Sequence, residues 1–213
     1  MASEEGPERS MIGVERLRGF ADAVIAIAIT LLALTIEVEP HLSEAELTAR
    51  LRETSGDVAA YALSFAVIGL FWLGHHGLFG LVARVDGLMV GLELALLAVL
   101  ALMPFPTRLI SEYGDLPIAV AVYAGTIALA GALMTAMAVR LRRPGGLRAP
   151  DAPQRRVRQE IVENATLTVV FAATIPIAFV STTAATALWL LLFLPGIVRG
   201  LRPLLGRRGG ERF

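Results

Sequence analysis

Six long apolar runs, each bounded by charged or turn-forming residues, dominate the chain, near 19–38, 58–80, 87–106, 117–140, 161–180 and 183–202. A helix needs about 20 residues to cross a hydrocarbon layer of about 30 Å, so every run is long enough. Strands with open edges leave backbone groups unpaired in lipid, at a cost that rules them out. The pattern therefore predicts an all-α membrane protein, with six transmembrane helices in one domain spanning 1–213. The expected breaks are an acidic linker at Glu37–Asp57, a turn at Ala83–Asp86 and a polar segment at Ser111–Pro117. A Pro-, Gly- and Arg-rich loop follows at Arg140–Arg158, then a tight corner at Ser181–Thr183.

Composition agrees. The 213 residues are 55% hydrophobic and 18% charged, with a mean hydropathy of +0.66, which is too apolar for a soluble domain. The absence of cysteine removes disulfides, thiol nucleophiles and thiolate metal ligands. Net charge is zero, so the overall balance points to no partner, and no nucleic acid is expected. All 19 basic residues are arginine, and their distribution is uneven. With six spans, one side holds sixteen of them: Arg9, Arg16, Arg18, Arg84, Arg140, Arg142, Arg143, Arg148, Arg155, Arg156, Arg158, Arg199, Arg202, Arg207, Arg208 and Arg212. The other side holds only Arg50, Arg52 and Arg108. Basic loops stay in the cytoplasm, so both termini are expected there, in a multi-pass protein of the cell membrane. The acidic start (Glu4, Glu5, Glu8) argues against a cleavable signal peptide.

The first run carries the most information. At 100° per residue, Ile27, Leu31 and Leu34 fall within about 60° of one another, Thr30 borders them, and Phe20 and Val38 extend the stripe. Asp22 lies about 140° away. Periodicity alone reads such a stripe as helix packing. An ionisable group inside a membrane helix is a functional candidate that needs a partner. The second run ends in Phe71-Trp72-Leu73-Gly74-His75-His76. Adjacent histidines point about 100° apart, so a shared metal is not expected; helical His ligands want i, i+4 spacing. One histidine is expected to donate to a carboxylate such as Asp22; the alternative is a satisfied interfacial histidine near Arg84 and Asp86.

These residues resemble a known family. Arg16-x-x-x-Phe20-Ala21-Asp22, followed by Ile27 and Thr30-Leu31, resembles the RxxxFSD signature on the first helix of the transmembrane protein 175 family of potassium channels. Trp72-x-x-His75-His76 resembles its second helix, and Pro104-Phe105-Pro106-Thr107 with Glu112-Tyr113 resembles the end of its third. One departure is Ala21, where the signature has serine. The resemblance implies a potassium-selective channel with a pore lined by the first helix of each subunit. It assigns the hydrophobic constriction to Ile27, with Leu31 and Leu34 as further apolar rings, and selectivity to Thr30. It assigns a network that fixes the first helix to Arg16, Phe20 and Asp22, with Trp72 and His75 or His76 as partners. Two-repeat members assemble as dimers, so a single-repeat chain is expected to form a homotetramer.

Such a pore has no carbonyl-lined filter. The chain has no TVGYG loop and no re-entrant segment to hold one, so an apolar ring would gate by dewetting. Potassium is the expected permeant ion, membrane lipid and further copies of the chain are the expected partners, and no cofactor is implied. The main rival is an ion- or proton-coupled secondary transporter. Pro176 and Pro195 could break two helices, and Glu93 could carry protons unless it pairs with Arg84 or a neighbour. No Ser/His arrangement or HExxH motif suggests an enzyme.

Overall fold

The computed structural model describes residues 13–36, 39–143 and 145–189. Among them the chain is helical throughout, with α1 (Val14–Leu31), α2 (Glu44–Glu53), α3 (Ser55–Phe79), α4 (Gly87–Ala101), α5 (Pro104–Tyr113), α6 (Pro117–Arg142) and α7 (Gln154–Ala178). Residues 182–189 are helical as well. Five stretches are long and apolar enough to cross a membrane: Val14–Thr35, Ser55–Phe79, Gly87–Tyr113, Pro117–Arg142 and Gln154–Ala178. The sixth expected span, 183–202, lies largely outside the described residues.

Several boundaries differ from the sequence expectation for local reasons. The linker at 37–57 contains α2, a ten-residue helix opened by a capping box in which Ser43 and Glu46 satisfy each other's backbone amides. The run at 87–106 is two helices. The first stops at Ala101, and Pro104, which cannot continue a hydrogen-bonded helix, starts the next. Helix α7 starts at Gln154, seven residues before the apolar run, so its arginines extend the helix beyond the hydrocarbon layer. Helix α1 begins early, at Val14, and tightens into a 3₁₀ turn at Leu32–Thr35.

The most buried helix is α6, with Tyr123, Ile127, Met134 and Met137 inaccessible. It packs along α7 most closely at Gly131, where a Cβ would meet the Thr168 hydroxyl and a Leu167 methyl. Trp189 closes that side by stacking on Tyr123 and Phe171, its indole N–H donating to Thr174 at 3.2 Å. The α3–α4 turn and the α6–α7 loop are clasped. The amide of Ala83 donates to Leu147 (2.8 Å), that of Ala149 donates to Leu81 (2.9 Å), and Arg84 donates to the Gly146 carbonyl (3.2 Å). Gly146 has φ +67°, which L side chains rarely adopt, and a Cβ there would also displace the Arg84 guanidinium, so glycine is favoured. At the opposite end, Ser111 of α5 hydrogen-bonds Asp57 of α3. The α3–α4 turn and the arginine-rich α6–α7 loop, assigned to one side from sequence, thus share one end of the bundle. With large apolar residues such as Leu73, Leu94, Leu129 and Val169 facing outward, the chain is a multi-pass membrane protein.

Candidate functional site

The two faces of α1 differ sharply. Leu17, Ala21, Ile25 and Ala28 are buried where α1 packs on α3 and α4, and Leu32, in the 3₁₀ turn that packs on α3 and α5, is fully inaccessible. On the other face Phe20, Ile27, Leu31 and Leu34 are 50%, 58%, 41% and 68% exposed. Thr30 is exposed beside them and donates its hydroxyl to the Ile27 carbonyl at 2.8 Å. That bond consumes the hydroxyl proton and leaves the oxygen lone pairs turned outward. Beyond Leu34 the face meets a hollow of about 450 Å³ lined by Leu31, Leu34, Leu102, Phe105 and Arg108. Val38 lies outside the described residues.

A polar ladder joins α1 to α3. Arg18 donates to Nδ1 of His76 at 3.2 Å, and one turn further along α1 the Trp72 indole N–H donates to Asp22 at 2.8 Å. The Trp72 and His76 rings lie 5.9 Å apart. His75 turns the other way, into the core, where its Nε2 lies 2.9 Å from Glu93 of α4 and its ring stacks on Phe79. Both His75 and Glu93 are buried, and Oε2 of Glu93 has no hydrogen-bond partner among the described residues. Among those residues no three His, Asp or Glu side chains gather as a metal site.

Comparison with known proteins places this arrangement. A protein described as a potassium channel from Streptomyces collinus is 37% identical over 172 residues, which cover 78% of this chain and 82% of that one. The chain belongs to the TMEM175 family. A sequence profile for the family described as endosomal/lysosomal potassium channel TMEM175 matches residues 16–104, from the signature arginine to the start of α5. A potassium channel of Chamaesiphon minutus is 41% identical over 126 residues, covering 57% of this chain and 61% of that one. The crystal structure of a lysosomal potassium-selective channel TMEM175 homolog from the same organism superposes with a TM-score of 0.77 at 27% identity. It covers 87% of this chain and 97% of that one.

Within this TMEM175-family fold, three sequence expectations are corrected. Neither histidine meets Asp22, because the antiparallel register of α1 and α3 sets Trp72 beside it and leaves His76 one turn lower, at Arg18. Glu93 pairs with His75 and not with Arg84, whose guanidinium is held by Gly146. Asp86, expected beside the histidines, instead caps α4 through the Met89 amide (2.8 Å) and binds Arg140 (2.5 Å). Arg16 is exposed and makes no hydrogen bond or ion pair among the described residues, whereas Arg18, which the sequence reading passed over, makes the contact to α3. Its signal was available: Arg18 and Asp22 are four apart on α1, as are Trp72 and His76 on α3.

Proposed function

We propose that the chain is one subunit of a homotetrameric, potassium-selective channel whose pore is lined by the exposed face of α1. The observation that carries this reading is the contrast across α1 itself. One face is locked into the protomer, and the other presents Ile27, Leu31 and Leu34 in a row, each left largely exposed by the described residues. The names of the family's members support conduction of ions, and closed rotational symmetry is the ordinary way to enclose a shared face.

In this reading four Ile27 side chains make the narrowest ring. They present only methyl groups, so water leaves a closed ring and ions cannot enter; widening wets it. Four Thr30 hydroxyls lie one turn away. Because each hydroxyl proton is spent on the Ile27 carbonyl, its oxygen is free to replace water around a cation. Potassium sheds its water more cheaply than sodium, which gives selectivity without a carbonyl filter. The ladder from Asp22 to Trp72 and from Arg18 to His76 fixes the rotation of α1, and Arg16 and Phe20 are left for contacts between subunits. Both termini lie in the cytoplasm.

Recording from purified protein in planar bilayers tests this. Unitary current steps with a reversal potential favouring potassium over sodium are expected. Flux without unitary steps would instead make the chain a transporter.

A further inference from the structure

We propose that the hollow between the end of α6, the α6–α7 loop and the first turn of α7 binds a phosphate group, carried by an anionic lipid headgroup at the membrane face. The hollow measures about 440 Å³ and is lined by Arg142, Arg148, Gln154, Arg155, Val157 and Arg158. A neighbouring one of about 260 Å³ shares Arg142, Arg148 and Gln154 and adds Arg143, leaving room for more than the phosphate itself.

Three observations converge on an anion. None of the four arginines of the larger hollow forms an ion pair among the described residues, whereas nearby Arg140 is held by Asp86. Four like charges around one concavity repel one another, and a polyanion removes that cost. The first turn of α7 carries no acid and no side-chain cap. Arginines there oppose the positive end of the helix dipole, and the amides of Gln154 and Arg155 have no backbone acceptor among the described residues. An anion would answer both defects at once. Asp151 and Glu160, the acids nearest in sequence, do not line the hollow. A bias of arginines toward one membrane face requires only that they lie on that side. It does not require residues from two helices and a loop to converge on one hollow.

Position selects the source. Helix α6 ends at Arg142 and α7 starts at Gln154, with its apolar run beginning near 161, so the hollow opens just outside the hydrocarbon layer, where headgroups lie. Basic pockets between transmembrane helices are a recurrent way of holding such groups.

The test titrates the whole protein in a neutral detergent with dioctanoyl phosphatidylglycerol, dioctanoyl phosphatidylcholine or inorganic phosphate, read by calorimetry. Saturable binding of phosphatidylglycerol at one per chain, well above phosphatidylcholine, is expected. The double variant Arg155→Gln/Arg158→Gln should weaken it about 30-fold. Arg156→Gln, on the same turn but outside the hollow, should leave it within about twofold. Inorganic phosphate binding as tightly as the lipid would keep the site and make its ligand soluble. Competition between phosphate and lipid on the unaltered protein reads the site even where a variant folds poorly. Non-saturable lipid binding, or equal loss with Arg156→Gln, would overturn the proposal.

Discussion

Asp22 and Trp72 meet across α1 and α3 at 2.8 Å, and Arg18 and His76 meet one turn below, so both pairs obey a single antiparallel register. Four residues forward on α1 correspond to four residues back on α3. Two polar rungs therefore specify the rotation of α1 as well as its height. A rotation of one residue, about 100°, would carry Asp22 away from the indole and turn Ile27 off its exposed face. The signature on the first helix and the aromatic–histidine segment on the second are thus two halves of one device.

That device should be a matter of assembly more than of permeation. Asp22→Ala and Trp72→Phe are each expected to lower stability, with a coupling between them of about 0.6–2 kcal/mol, the range of interhelical hydrogen bonds in membranes. Asp22→Asn, which keeps an acceptor oxygen, should retain most of it. Denaturant unfolding of the four proteins of the cycle, beside their elution as tetramer or monomer, measures this. A stable Asp22→Ala tetramer with altered ion preference alone would place Asp22 in the pore.

Much of this was legible in advance, and the misses have physical causes. Runs of apolar residues located five spans because lipid imposes length and composition directly. The two faces of α1 followed from helical geometry, and Leu32, about 140° from Ile27 on the wheel, is indeed buried. Helix α2 was hidden because a charged segment reads as a linker, although Ser43 and Glu46 spell a capping box. The division of α4 from α5 was masked by continuous hydropathy through Leu102 and Met103. The His75–Glu93 pair joins residues eighteen apart, which no local rule supplies. Two polar groups stranded in neighbouring apolar runs were nevertheless a signal, since each requires a partner.

Topology has a direct test, because the chain lacks cysteine. Ala45→Cys in α2 and Asp151→Cys in the α6–α7 loop occupy exposed positions at opposite ends of the bundle. An impermeant thiol reagent added outside intact cells is expected to label the first alone, and the second only after the membrane is opened. Labelling of both from outside would refute cytoplasmic termini.

The tie between the α3–α4 turn and the end of α6 should be acid-labile through Asp86. The Met89 amide, and after it the Arg140 guanidinium, hold this carboxyl below its usual range against a partial opposing effect of burial. A depressed value in the folded state means that the stabilisation is complete above the ordinary aspartate pKa, near 3.8, and is lost as pH falls through the lower one. Asp86→Asn keeps an acceptor for Met89 but gives up the charge facing Arg140. The unaltered protein should be the more stable at pH 6, with the gap closing as pH falls below the ordinary aspartate value. Thermal unfolding across that range decides it, and a gap independent of pH would remove Asp86 from the acid response.

The proposed permeation face can be dissected with three substitutions on α1 and the 3₁₀ turn that ends it. Ile27 is 58% exposed and Thr30 lies beside it, so neither supports the fold of its own subunit. Ile27→Asn should wet the proposed ring, raise current and reduce discrimination between potassium and sodium. Thr30→Ala removes the oxygen left free by its bond to the Ile27 carbonyl, and should weaken potassium preference while leaving closure much as before. Leu32 is fully buried, and Leu32→Ala should cost about 2–5 kcal/mol of stability with no change in selectivity among the channels that survive. Reversal potentials in mixed potassium and sodium, beside unfolding curves for the same proteins, separate the two faces. Altered selectivity in Leu32→Ala, with Ile27→Asn and Thr30→Ala unchanged, would mean that another face of α1 meets the ions.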